Sequence, residues 1–124
     1  MIRKILILIA FCGPALAEEP QVDCDNAMTQ TDMNICSYQD YQAADAVLNE
    51  TYAWAMDRAK TYGDTAADAL RSAQRAWIPY RDAACDAEAV LYEGGSIQPL
   101  IMNSCLANLT RQRTDEMRSA YQTY

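Results

Sequence analysis

Apolar and small residues recur at three- and four-residue steps through most of the chain, which is the spacing of one face of an α-helix. The first such stretch predicts a helix from about Ser37 to Thr61, with Ser37 or Asp40 as its N-cap. Its apolar face consists of Tyr41, Ala44, Leu48, Tyr52, Ala55 and Ala59. Gly63 predicts the end of this helix, because glycine readily adopts the backbone conformations that terminate helices.

The same periodicity predicts two further helices. One begins near Asp64 or Thr65 and reaches about Tyr92, before the pair Gly94-Gly95 ends it. Its apolar face consists of Leu70, Ala73, Trp77, Ala84 and Leu91. The last helix follows Ser96 as its N-cap and extends to the C-terminus. Its apolar face consists of Met102, Leu106, Leu109, Met117 and Tyr121.

The fold class that follows is all-α. Downstream of residue 17, no segment alternates apolar and polar residues for long enough to require a strand. Short turns connect three helices, which favours antiparallel packing of neighbours in a bundle. Residues 18–35 predict an irregular N-terminal arm, with one helical turn near Asn26 to Met28. Pro79 predicts a kink in the second helix, because proline lacks a backbone donor.

The first 17 residues have the layout of a secretory signal peptide. A basic start with Arg3 and Lys4 precedes an apolar run, and Ala15-Leu16-Ala17 forms an A-x-A cleavage site. The apolar run is shorter than the roughly 20 residues that span a bilayer. The chain is therefore predicted to be cleaved after Ala17, leaving a domain of residues 18–124 in the periplasm or secreted. A buried N-terminal helix and lipidation at Cys12 are the alternatives.

Cleavage at this site leaves four cysteines. An even number in a small exported domain predicts two disulfides, and four cysteines allow three pairings. Cys85 and Cys105 each lie ten residues from Gly95, about 15 Å along their helices. They are expected to face each other across this hairpin, which leaves Cys24 to pair with Cys36. A zinc site is the rival use, but the chain has no C-x-x-C and no histidine.

The charge of the chain restricts its partners. The formal net charge is −7, and loss of Arg3 and Lys4 with no acidic residue makes it −9. Such a surface repels nucleic acids and anionic lipids, and it attracts a cationic protein partner. Acidity that serves only solubility is the alternative.

The absence of histidine argues against an enzyme. It removes the usual general base and the commonest metal ligand, and no nucleotide-binding glycine motif is present. A glycosidase needs two carboxylates across a cleft. The candidates are Asp45, Asp82, Asp86 and Glu88, but three short helices offer little space for a sugar between them. No catalytic residue, cofactor or metal is therefore predicted.

Five polar residues lie beside the apolar faces of the predicted helices. They are Asp45, Asn49, Gln74, Arg81 and Arg113. We interpret them as a structural polar network between helices, with Asp45 and Arg81 as an ion pair, because a partly buried charge must have a partner. A binding hot spot is the alternative, since tryptophan, tyrosine and arginine dominate such sites.

The sequence resembles the LprI-type lysozyme-inhibitor domain of exported bacterial proteins. The most specific segment runs from Ala73 to Trp77, through Tyr80-Arg81-Asp82, to Cys85. The residues that carry the rest of the resemblance are Cys24, Met33-Asn34-Ile35-Cys36, Tyr41, Ala44-Asp45, Leu48-Asn49-Glu50-Thr51-Tyr52, Leu70-Arg71-Ser72, Glu88, Gly94-Gly95-Ser96, Cys105 and Thr110 to Arg113. Together they span nearly all of the mature chain.

The resemblance implies a disulfide-bonded helical fold in the periplasm or at the envelope, and it implies inhibition of lysozyme. The negative charge agrees, since lysozymes are commonly cationic. Tyr92 and Glu93, beside the Gly94-Gly95 turn, are the possible contacts with such a partner. A structural or interaction module of the cell envelope, with a partner other than lysozyme, is the alternative function.

Overall fold

Three long α-helices make up most of the computed structural model, which describes Gly13 and residues 21–122. They are α1 (Gln30–Thr61), α2 (Asp64–Ala89) and α3 (Gln98–Tyr121). A short 3-10 turn, Cys24–Asn26, precedes α1, and a second one, Val90–Tyr92, follows α2. No strand occurs within the described residues. The all-α prediction is confirmed. The predicted signal peptide and its cleavage site after Ala17 lie outside the described residues, apart from Gly13.

The first helix begins earlier than predicted. Residues 30–35, which were expected to be irregular, are helical, and the N-cap is Thr29 in place of Ser37 or Asp40. The hydroxyl of Thr29 accepts a hydrogen bond from the backbone N–H of Asp32 at 3.0 Å. Thr29 and Asp32 have the spacing of a capping box, a signal that the apolar periodicity alone does not contain. Ser37 is instead buried inside the helix.

The predicted N-cap of the third helix is also wrong. Ile97 occupies that position without a side-chain cap, and Pro99 lies in the first turn, where a missing N–H is tolerated. The carbonyl of Ser96 accepts a hydrogen bond from the side-chain amide of Asn34 at 2.9 Å. Ser96 therefore connects the start of α3 to α1.

Glycines define both turns between helices, as predicted. Gly63 separates α1 from α2 with a φ of 112°, and Gly94 follows the 3-10 turn with a φ of 81°. The second helix is continuous through Pro79, which is exposed.

The helices form a bundle in which α2 runs opposite to α1 and α3. Cross-helix hydrogen bonds join Ser37 to Asn103 and Thr51 to Arg118, so the residue numbers rise together along α1 and α3. These two helices are parallel and share the most extensive contact in the domain. The start of α1, the end of α2 and the start of α3 consequently meet at one end of the bundle.

Two apolar clusters form the core. The larger contains Leu48, Ala55, Met56, Ala59, Ala67, Leu70 and Met117, and the smaller contains Cys85, Cys105 and Leu106. Several core positions are alanine, and its small side chain lets the helices approach closely. The apolar faces predicted for α1 and α3 are buried or half-buried in this core.

The apolar face predicted for α2 is partly wrong. Ala73 and Leu91 are exposed, with Leu91 at 79 %. Two polar residues, Gln74 and Arg81, occupy the buried positions between Leu70 and Cys85. Apolar residues alone do not mark the buried face of α2, because part of that face is polar.

Two disulfides cross-link the domain as predicted. Cys24 is bonded to Cys36, which fastens the segment before α1, and Cys85 is bonded to Cys105, which joins α2 to α3.

Candidate functional site

The most elaborate polar arrangement in the domain surrounds Arg81. Its guanidinium lies between two aromatic rings, 5.4 Å from the centroid of Tyr41 and 5.1 Å from that of Trp77. Arg81 is only 6 % exposed. Both distances are within the range of a cation–π interaction, which offsets part of the cost of removing the charge from water.

Carboxylates complete the environment of this arginine. The Nε of Arg81 donates to Asp82 at 2.9 Å, and its Nη1 lies 3.6 Å from the carboxylate of Asp45. The same Nη1 donates to the buried hydroxyl of Thr110 at 3.4 Å, and Asn49 donates to Asp45 at 3.5 Å. We call this group, together with Tyr41 and Trp77, the arginine layer. It contains residues of all three helices, so it fixes their relative positions.

A second polar contact joins α2 to α3. The Nε of Arg113 donates to the amide oxygen of Gln74 at 3.0 Å, and Arg113 is also paired with Glu116 at 3.2 Å. Gln74 is 8 % exposed, and its acceptor is satisfied by this bond. The five polar residues expected to form one network therefore lie in two groups. Asp45, Asn49 and Arg81 belong to the arginine layer, and Gln74 and Arg113 form this second contact.

Burial in the arginine layer raises the pKa of Tyr41 above its usual value of about 10. The positive charge of Arg81 opposes this rise, and the negative charges of Asp45 and Asp82 add to it. The phenol of Tyr41 is therefore neutral at physiological pH.

A third polar contact, between α1 and α3, was not anticipated. The side-chain amide of Asn103 donates to the hydroxyl of Ser37 at 3.1 Å and to the carbonyl of Asn34 at 3.4 Å. Asn103 lies two residues before Cys105 on a helix face whose neighbours are mostly apolar. An isolated asparagine on such a face is the feature of the sequence that indicates this contact.

The carboxylates considered for glycosidase chemistry are not arranged as a catalytic pair. Asp45 and Asp82 both form ion pairs with the same Arg81, and Asp86 and Glu88 are exposed. A groove of about 490 Å³ between α1 and α3 is lined by none of these four residues. The arginine layer is suited to holding helices together, since its cation is inaccessible to a ligand.

The turn between α2 and α3 has the opposite character, because its apolar side chains face solvent. Val90 is 50 %, Leu91 79 %, Tyr92 44 % and Ile97 36 % exposed. Glu93, in the middle of the turn, is also exposed. The two residues considered as possible partner contacts, Tyr92 and Glu93, thus lie on an accessible surface. We call residues 90–97 the apolar turn.

These features define a small helical domain with two disulfides, and the disulfides fit an extracytoplasmic protein. Residues 23–117 match the family model described as lysozyme inhibitor LprI, and the chain belongs to this family. The resemblance seen in the sequence is confirmed. Lysozyme inhibition is a non-catalytic role, and none of the described helices is long and apolar enough to cross a membrane.

Two other proteins are similar to this chain. A Rhizobium meliloti (strain 1021) protein described as uncharacterized protein R02472 is 44 % identical over 122 residues, covering 90 % of this chain and 88 % of its own. The crystal structure of a DUF1311 family protein from Pseudomonas putida KT2440 matches with a TM-score of 0.70 and 25 % identity. The match covers 80 % of this chain and all of that one.

Proposed function

We propose that this protein is exported and inhibits a cationic lysozyme by stoichiometric binding. The observation that carries the proposal is membership of the LprI family over residues 23–117, which contain all three helices apart from the last turn of α3. Binding alone suffices for inhibition, so the mechanism requires no catalytic group on this chain.

Export is supported by two independent features. Residues 1–17 have the order of basic start, apolar run and small-residue cleavage site that secretion requires. Two disulfides join all four cysteines downstream of that site, and such bonds form and persist in oxidising compartments. The periplasm is also where a protein that protects peptidoglycan must act.

Charge supports the choice of partner. Without its first 17 residues the chain has a formal net charge of −9. Opposite charge on a lysozyme raises the association rate and orients the encounter. The arginine layer joins all three helices, which is consistent with this role, because an inhibitor whose helices are held in place loses little conformational entropy on binding.

The proposal is tested by titrating the purified, oxidised protein into a turbidity assay in which a cationic lysozyme clears peptidoglycan. We expect clearing to slow at micromolar inhibitor and low salt, with inhibition saturating at an equimolar ratio when the lysozyme concentration exceeds Kd. A matched control is the same chain reduced and carbamidomethylated, which keeps the formal charge without the disulfides.

Three outcomes are distinguishable. Inhibition by the oxidised protein alone supports specific binding. Equal inhibition by the reduced chain would mean that negative charge alone is responsible, which contradicts the proposal. No inhibition, together with capture of a different periplasmic protein, would instead favour an envelope interaction module.

A further inference from the structure

We infer that the apolar turn is the lysozyme-binding surface and that it enters the substrate cleft of the enzyme. This inference rests on the proposed function and specifies which part of the domain makes the contact. Three observations carry it: the exposure of apolar side chains at this turn, the hydrogen bonds within its backbone, and the distribution of charge along the bundle.

Exposed apolar residues are concentrated at this turn. Four of them, Val90, Leu91, Tyr92 and Ile97, lie within eight residues, whereas the others on the described surface are spread over the lengths of α1 and α2 or lie at their ends. A contiguous apolar patch on a soluble domain marks an interaction surface, while single exposed residues do not. Tyrosine in particular is common at the centre of protein interfaces.

The backbone of the turn is held in place without a partner. Hydrogen bonds run from Glu93 N–H to the Val90 carbonyl, from Gly95 N–H to the Tyr92 carbonyl and from Gln98 N–H to the Gly95 carbonyl. The Cys85–Cys105 disulfide joins the two helices below the turn. The apolar side chains are thus presented by a preorganised backbone, which reduces the entropy lost on binding.

Charge is separated along the bundle axis, with the arginine layer as the divide. On the side of the apolar turn, residues 21–39 and 83–110 contain six acidic residues and no lysine or arginine. On the other side, residues 46–80 and 112–122 contain six acidic and six basic residues. The negative charge that attracts a cationic partner therefore belongs to the end that bears the apolar patch.

The position of the turn favours the substrate cleft as the part of lysozyme that it contacts. The apolar turn lies at one end of the bundle with its side chains exposed, and enzyme substrate sites are concave and partly apolar. Glu88 precedes the apolar side chains and Glu93 lies among them, and both are exposed, so they are placed to meet basic residues around a cleft. Occupation of the cleft also accounts for inhibition without any chemistry on this chain.

The inference is tested with the double variant Leu91→Ser/Tyr92→Ala in the oxidised, full-length mature protein. We expect its Kd for a cationic lysozyme to rise at least about tenfold, since these residues would form the interface centre. The matched control is Tyr62→Ala, which removes a 72 % exposed tyrosine from the turn at the opposite end of the bundle and is expected to leave Kd unchanged. Circular dichroism and thermal unfolding verify that each variant is folded.

A soluble chitin oligosaccharide provides the second readout, because it occupies the lysozyme cleft. Competition between the oligosaccharide and the wild-type protein supports cleft binding, and simultaneous binding of both would overturn it. If wild type inhibits and the double variant binds within about twofold of it, the assignment of the apolar turn is wrong while the proposed function stands. If wild type neither binds nor inhibits, the proposed function itself fails.

Discussion

At the scale of single residues, the domain depends on a cation placed where an apolar side chain would ordinarily be. Arg81 is buried between two aromatic rings, and its two carboxylate partners are about half exposed. The carboxylates can be hydrated when their partner is lost, whereas the arginine cannot. The energetic importance of the layer therefore lies mainly with Arg81.

Replacing this arginine is expected to destabilise the domain strongly. Arg81→Ala removes the ion pairs with Asp45 and Asp82 and the packing against both rings, so the free energy of unfolding should fall by about 3 kcal/mol. Urea unfolding followed by circular dichroism measures the change. Arg75→Ala, on the exposed face of the same helix, is the control and should stay within about 0.5 kcal/mol of wild type. A similar loss in both variants would contradict a special role for the layer.

The raised pKa of Tyr41 predicts a stability change in alkaline solution. The unfolded chain ionises this phenol at about pH 10, while burial delays ionisation in the folded protein. The stability contributed by the neutral phenol is therefore complete below pH 10 and is lost as the pH rises through the folded pKa. Tyr41→Phe, which keeps the ring over Arg81, should show a smaller decline of unfolding free energy above pH 10. Parallel pH profiles for both proteins would refute this explanation.

At the scale of helices and turns, local backbone geometry and covalent links determine how the elements connect. Gly63 has φ 112° and ψ 171°, a region that is essentially restricted to glycine. It allows α2 to begin with only two residues between it and the end of α1. The two disulfides then fasten the other end of the bundle, where the N-terminal segment and the apolar turn lie.

The Gly63 backbone predicts a cost for any side chain at this position. A Cβ added there meets no atom within 4 Å, so Gly63→Ala isolates backbone strain, and we expect a loss of about 1–3 kcal/mol. Thermal and urea unfolding measure it. Thr65→Ala, at an exposed position in the first turn of α2, is the control. An unchanged stability in Gly63→Ala would show that the turn relaxes to another conformation at no cost.

The two disulfides should contribute unequally to stability. Cys85–Cys105 closes a separation of 20 residues and is buried in the core, whereas Cys24–Cys36 closes 12 residues and Cys24 is exposed. We expect Cys85→Ala/Cys105→Ala to lose about 3 kcal/mol or more and Cys24→Ala/Cys36→Ala about 2 kcal/mol. Unfolding in urea gives both values, and mass spectrometry verifies the remaining bond. A larger effect from the N-terminal pair would contradict this order.

At the scale of the whole molecule, the fold places the segments without lysine or arginine together, so that one end of the bundle is acidic. Lysine and arginine are absent from long stretches of the chain, and the parallel arrangement of α1 and α3 brings these stretches to the same end. The arginine layer divides this acidic end from an end where acidic and basic residues balance.

Because negative charge is concentrated at one end of the bundle, removing it from that end should slow association with a cationic partner more than removing it from the other end. Glu88→Gln/Glu93→Gln should lower the association rate with a cationic lysozyme more than Glu50→Gln/Asp115→Asn, which removes the same charge from the balanced end. Stopped-flow measurements at about 0.01 M and 0.15 M salt, with Debye lengths of about 30 and 8 Å, should show the difference shrinking as salt rises. Equal effects of the two double variants at low salt would refute steering by the acidic end.

The sequence by itself determined the helices, the glycine turns and the disulfide pairing, because periodicity, turn chemistry and helix rise are local properties. The pairing of Cys85 with Cys105 followed from their equal distances to Gly95. The ion pair of Arg81 with Asp45 was likewise accessible from charge complementarity.

Tertiary structure alone decided which face of α2 is buried and where charge accumulates. Arg81 and Gln74 are tolerated in the core because α1 supplies the Tyr41 ring and the Asp45 carboxylate to Arg81, and α3 supplies the Arg113 guanidinium to Gln74. Leu91 is exposed because the chain turns before it can pack. Burial of a polar side chain depends on partners that are distant in sequence, and for that reason the periodicity of one helix does not reveal it.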